Sequence, residues 1–198
     1  MSGLTAILDD ADAFFMSGGK LHDTARRIGD IFDEMGIPYA IAGAIALAVY
    51  GRRRLTEDVD ILVARQDLAR FKSAWLGRGY VEVSPGLKAV RDAASGVKID
   101  FLLVGDFPGD GKPKPVSFSS PPADCVRTDG YRVLPLEYLI ELKLASGMSA
   151  PHRGQDLVDI MQLIRARDLP RDFGERLDPW VRAEFDRQWE LSRIEEDY

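Results

Sequence analysis

Cysteine is almost absent from this chain. Cys125 stands alone among 198 residues, so no disulfide can form within the chain, and a reducing compartment is the expected setting. Histidine is nearly as scarce, and His22 and His152 show no zinc-ligand spacing. No apolar run approaches the ~20 residues of a membrane span. The acidic N-terminal stretch MSGLTAILDDADAFF lacks the apolar core of a secretory leader. The expectation is a soluble, cytoplasmic protein with no membrane partner. A basic excess is missing too: the net charge is −6. That argues against a surface built for extended duplex DNA, but it leaves room for a local basic patch at a nucleotide or an RNA end. Repeats and low-complexity tracts are absent. What is present is a composition 45% hydrophobic, enough to bury a core as one domain or two small lobes.

Leu21, Ile28, Ile31, Phe32 and Met35 recur at helical spacing, and Gly36 follows as a stop. PYAIAG reads as a strand, AIALAVYG as a short helix ending near Gly51, and VDILV as a second strand. QDLARFKSAWLGRG is an amphipathic helix, and YVEV, KAVRD and KIDFLLV read as strands separated by turn signals. From Gly105 to Pro122 the chain is rich in Gly, Pro and Ser, the texture of a surface loop. Beyond YRVLPLEY three apolar-striped helical patterns follow, the last being DPWVRAEFDRQWELSRIEE. The expected organisation is an N-terminal α/β lobe with a leading helix over 1–104. A loop-rich connection over 105–134 and a helical C-terminal lobe over 135–198 complete it. A groove between two such lobes is a usual place for a ligand.

Two aspartates interrupt an otherwise apolar strand. Side chains alternate across a strand, so Asp58 and Asp60 share one face while Val59, Ile61 and Val63 share the other. In VKIDFLLVG, Asp100 is a third carboxylate between apolar neighbours. Three carboxylates brought together suit hard cations, above all Mg2+, or Mn2+ in its place. Bound metal of this kind holds an attacking oxygen and a triphosphate in line. A lone Asp-x-Asp is more plainly explained as two solvated aspartates at a strand end, and it is the context that favours metal. AIAG followed by Ala44 makes strand, small-residue turn and helix, a place for phosphate on backbone N–H groups.

This arrangement resembles the nucleotidyltransferase superfamily that shares a small catalytic domain with polymerase-β-like enzymes. The residues carrying the resemblance are Gly43, Ala44, Asp58, Asp60 and Asp100, with Arg54 and Thr56 matching an R-x-T-x-D-hydrophobic-D form. It implies an α+β fold: a small nucleotidyltransferase-type mixed sheet flanked by helices, followed by a mostly helical C-terminal lobe. Ala44 departs from the family pattern, which has Gly or Ser there, and alanine offers phosphate no hydroxyl. LPLEYLIELKLASGMSAPHRGQDLVDIMQLI is similar to the segment that follows the catalytic domain in AbiEii-type toxins, through Lys143, Arg153, Asp156 and Asp159. Gln155 replaces a lysine of that pattern.

The resemblance implies Mg2+-dependent transfer of NMP from an NTP. Asp58, Asp60 and Asp100 would be metal ligands and catalytic residues, and Gly43, Ala44, Arg54, Thr56, Lys143, Arg153 and Asp156 would be nucleotide supports. RNA, including a tRNA 3′ end, would be the acceptor, with an antitoxin protein as partner in a toxin–antitoxin or phage-defence pair. Two alternatives stay open: an antibiotic or other small-molecule acceptor, and a non-catalytic binding module of the same fold. For Lys143 the plainer reading is a snorkelling surface lysine, and for Arg153 with Asp156 a loop-to-helix ion pair. The basic run Arg52 to Arg54 could hold triphosphate or the acceptor's backbone and reads equally as a solvated loop, except for Arg54, which has the motif match. GDGKPKP lacks the Ser/Thr and the helix of a phosphate loop and reads as a charged linker. Trp75, Trp180 and Trp189 fit helix packing positions, and Cys125 has no partner base.

Overall fold

The long apolar pattern after Lys20 folds as helix α1 (Lys20–Glu34), which buries Ala25, Ile28 and Phe32 on one face. Gly36 ends it with a left-handed φ of +63°, a conformation that costs other residues a Cβ clash. The computed structural model describes residues 19–194. The N-terminal stretch discussed above and the last four residues lie outside that range. After α1 come β1 (Tyr39–Ile41), α2 (Gly43–Val49), β2 (Asp58–Val63), α3 (Arg65–Trp75), β3 (Tyr80–Glu82), β4 (Ala89–Asp92) and β5 (Lys98–Leu103). Strands β6 (Val126–Thr128) and β7 (Tyr131–Val133) precede α4 (Leu136–Ser149), α5 (Gly154–Arg167) and α6 (Arg182–Ser192).

All seven strands form one mixed sheet in the order β3-β4-β5-β2-β1-β7-β6. Strand β2 pairs parallel with β5 and antiparallel with β1. The period-two reading of β2 and β5 holds. Val59, Ile61, Ile99 and Phe101 are buried on one face, against α1 and α3. There Phe32 meets Phe71 edge-on at 5.1 Å and Tyr39 at 5.4 Å, and Phe101 lies 6.0 Å from Phe71. Burying each of these rings is worth roughly 2–3 kcal/mol, which fixes the register that turns the alternate residues the other way.

The expected α+β architecture is the one observed, with helices flanking a mixed sheet and α4, α5 and α6 packed on one another. The stretch expected as a loop connection differs in two respects. Its end carries β6 and β7, and β7 joins the sheet beside β1. Its beginning is held by bonds within the loop. The Gly105 N–H donates to the Phe118 carbonyl at 2.8 Å, and Phe118 returns a bond to Asp106 at 2.9 Å. Lys114, inside the charged GDGKPKP run, reaches the Pro108 carbonyl and Asp110. Trp75 and Trp189, on α3 and α6, and Trp180, in the turn before α6, are partly buried against the core. No helix among the described residues is long and apolar enough to cross a membrane.

Candidate active site

Strand β1 runs into a turn that brings the backbone against β2. The Ala42 N–H donates to the Asp60 carbonyl at 2.9 Å. Gly43 then takes a left-handed φ of +59°. A Cβ at Gly43 would fall 1.8 Å from Asp60 Oδ2, so this position admits no side chain while Asp60 keeps its place. The turn and the carboxylate form one packed unit.

The parallel register of β2 and β5 sets Asp58 opposite Lys98 and Asp60 opposite Asp100. Registered neighbours point to the same face, with strands ~4.8 Å apart. Three carboxylates and one ammonium therefore share a small block of sheet. Lys98 Nζ donates to Asp100 Oδ2 at 2.6 Å. Asp58 is held by Thr56, whose hydroxyl donates to Asp58 Oδ1 at 2.8 Å. Burial, and then the charges of Asp58 and Asp100, push the Asp60 carboxyl up to about 6, against the opposing pull of Lys143 and Arg153. The Lys98 ammonium is stabilised by its bond to Asp100; burial works against it, and Asp58 and Asp60 add to it.

The donor chemistry suits a hard divalent cation: carboxylate oxygens on adjacent strands, and an excess of negative charge at Asp60 that a cation would relieve. Among the described residues, however, no three acidic, histidine or cysteine side chains converge as a ready ligand set. Asp100 is turned to Lys98 instead. The residues fit a metal in kind, and the fit needs Asp100 to exchange its lysine partner for the ion.

Across the cleft stands a second charged cluster, built by α4 and α5. Lys143 is buried, and its ammonium donates to Asp156 Oδ1 at 2.7 Å and Asp159 Oδ2 at 2.9 Å. Its burial removes the snorkelling-lysine reading. Asp156 also accepts from Ser146 at 2.7 Å and from Arg153 Nε at 3.0 Å, which is the loop-to-helix ion pair expected as the plainer reading. Burial alone would raise the Asp156 carboxyl, but Lys143, Ser146 and Arg153 together hold it below the usual range. Asp159 is fully buried and draws in the basic loop before β2. Arg52 lies 3.5 Å and Arg54 3.1 Å from its oxygens. The Arg54 Nε is buried without an aligned hydrogen-bond acceptor.

Between the two clusters lies a cleft of about 860 Å³. Gly43, Arg54, Asp58, Asp60, Asp100, Lys143, Arg153 and Asp156 all line it. Ala44 and Thr56 do not: Ala44 is buried behind the turn, and Thr56 acts on Asp58. His152 and Gln155 reach the wall, as do Phe107 and Pro108 from the pinned loop. Sequence reasoning passed over Lys98, although its place two residues before Asp100 on one strand was the available signal. It matched Asp159 to a motif without seeing that this buried carboxylate ties Lys143 of α4 to the Arg52–Arg54 loop before β2.

No family model and no curated protein sequence matches the chain. Solved structures do. ANT(2")-Ia in complex with adenylyl-2"-tobramycin superposes with a TM-score of 0.51 at 16% identity, over 80% of this chain and 92% of that one. An antigenic nucleotidyltransferase-like protein from Paracoccidioides brasiliensis gives a TM-score of 0.48 at 19% identity, over 73% and 75% of the two chains. At 16% identity the likeness to ANT(2")-Ia concerns the fold alone.

Proposed function

We propose that the chain is a divalent-metal-dependent nucleotidyltransferase that moves NMP from an NTP to a hydroxyl acceptor and releases pyrophosphate. The observation that carries this reading is the Asp60–Asp100 register, with Gly43 packed on Asp60 and a cationic wall across the cleft. In this reading Asp58, Asp60 and Asp100 hold Mg2+ or Mn2+. When bound, such metal neutralises phosphate charge and activates the acceptor oxygen. Gly43 offers backbone to phosphate, while Ala44 supports the turn from behind. Thr56 orients Asp58. Arg153, half-exposed at the cleft, is the bidentate donor for triphosphate. Lys143 contributes positive potential from within its ion network. Asp156 holds Lys143 and Arg153 in place.

For the acceptor, RNA with its 3′ end in the cleft comes first, in a toxin-like role with an antitoxin partner. The support is the AbiEii-type pattern of Lys143, Arg153, Asp156 and Asp159, now seen as one cluster. A small-molecule acceptor is the second reading. It is favoured by the fold shared with ANT(2")-Ia over 92% of that chain and by the net charge of −6, which suits a cationic acceptor.

Incubation with each α-32P-labelled NTP and Mg2+, with total RNA in one arm and aminoglycosides in the other, tests the proposal. Label in RNA that is lost in Asp58→Asn/Asp60→Asn establishes the first reading. Label only on the small molecules establishes the second. Nucleotide binding without transfer in either arm leaves the binding module.

A further inference from the structure

We infer that Lys98 is the resident counter-cation of the carboxylate block and competes with divalent metal for Asp100. This rests on the metal-dependent reading above. The register places Lys98 opposite Asp58 and two residues before Asp100 on the same strand face. Its ammonium is bonded to Asp100 Oδ2 at 2.6 Å. The other Lys and Arg side chains of the cleft are engaged elsewhere: Arg54 with Asp159, Lys143 with Asp156 and Asp159, Arg153 with Asp156 and Ser146, and Lys88 with Asp106. Among the described residues, Lys98 is thus the cation in contact with the carboxylate block.

The arrangement has a chemical consequence. Three carboxylates in one block repel one another, and a fixed ammonium lowers that cost without metal. The same ammonium takes an Asp100 oxygen that an oxygen-seeking cation needs. Metal must therefore displace it. The Lys98 side chain is 38% exposed and that of Asp100 28%, so the lysine can swing into the cleft without disturbing the core. Metal entry then frees a positive charge inside the cleft, where a triphosphate would bind.

Mn2+ binding to nucleotide-free protein, read from the free-ion EPR signal, tests this without relying on turnover. Thermal unfolding of each variant shows that it is folded. Lys98→Met keeps the length of the side chain and removes the charge; it is expected to bind Mn2+ about tenfold more tightly than wild type. Lys98→Arg is expected to stay within about twofold of wild type. Adding Asp60→Asn to Lys98→Met is expected to abolish the gain. Should Lys98→Met fail to fold, Lys98→Gln carries the same expectation. Mn2+ binding that depends on Asp60 but is unchanged or weakened in Lys98→Met overturns the inference and leaves the metal site standing. No binding in any variant, Lys98→Met included, overturns both.

Discussion

Gly43 and Asp60 occupy each other's space: the absence of a side chain on one is what lets the carboxylate of the other stand where it does. A methyl added at Gly43 meets Asp60 Oδ2 at 1.8 Å, on a backbone whose φ is already +59°. Gly43→Ala therefore faces left-handed strain of about 1–2 kcal/mol and a clash with a functional group. The expected outcome is a fall in kcat/KM of about 100-fold or more, because Asp60 must move. Ala44→Ser, one residue on but off the cleft, is expected to leave the NTP KM within about twofold. Steady-state kinetics on both variants check the contrast.

Asp60 should make the metal-free protein less stable at neutral pH than its amide does. Burial and the neighbouring Asp58 and Asp100 push its carboxyl up to about 6. A raised carboxyl means that the folded state holds the proton more tightly than the unfolded chain. Folding thus carries no penalty at low pH and an increasing one as pH rises from about 4 through 6. Asp60→Asn is expected to gain about 1–3 kcal/mol at pH 7.5 and nothing near pH 4. Urea unfolding in EDTA at several pH values measures it.

Lys143 sits at 7% exposure between two buried carboxylates. Lys143→Met leaves Asp156 and Asp159 without their shared cation, at an expected cost of about 3–5 kcal/mol. Adding Asp159→Asn should recover part of that loss, and a double-mutant cycle on chemical denaturation reads the coupling. Independent, additive losses would contradict the shared network.

A separate acid-sensitive lock joins α1 to the sheet. Asp92 accepts from Arg27, Thr24, Ser95 and the Ala94 N–H. Burial pulls its carboxyl up, but the bonds from Arg27, Ser95 and the Ala94 N–H, with the Arg27 charge, bring it below the usual range. A lowered folded-state value means stability that is present above about pH 4 and lost as pH falls through the folded value. Asp92→Asn should cost about 1–2 kcal/mol at pH 6. The gap from wild type should close in acid, as followed by thermal unfolding from pH 6 to pH 3.

The legible parts of this molecule were those governed by local periodicity. Alternation put Asp58 and Asp60 on one face of their strand, because the opposite residues had to be buried, and it marked Asp100 as a carboxylate that joins them if its strand lies alongside. Helices α1 and α3 followed from apolar spacing closed by glycine, and α4 and α5 from their apolar stripes. What was not legible depends on pairing at a distance. Lys98 bonds Asp100 through ordinary strand geometry, yet its place opposite Asp58 exists only once β2 and β5 are in register. Asp159 became a hub because α5 packs beside the loop carrying Arg52 and Arg54, more than a hundred residues earlier. The Gly105 to Pro122 stretch read only as a surface loop because its ties, backbone bonds within the loop and side-chain bonds from Lys88 and Tyr138, leave no periodic trace.

The most direct test of the central claim is 31P NMR of each NTP with the protein, Mg2+ and acceptor, run beside Asp58→Asn/Asp60→Asn. Nucleotidyl transfer predicts pyrophosphate appearing in step with a new phosphodiester or phosphoester signal, both absent in the variant and in EDTA. Inorganic phosphate without pyrophosphate, or pyrophosphate that persists unchanged in the variant, would contradict it.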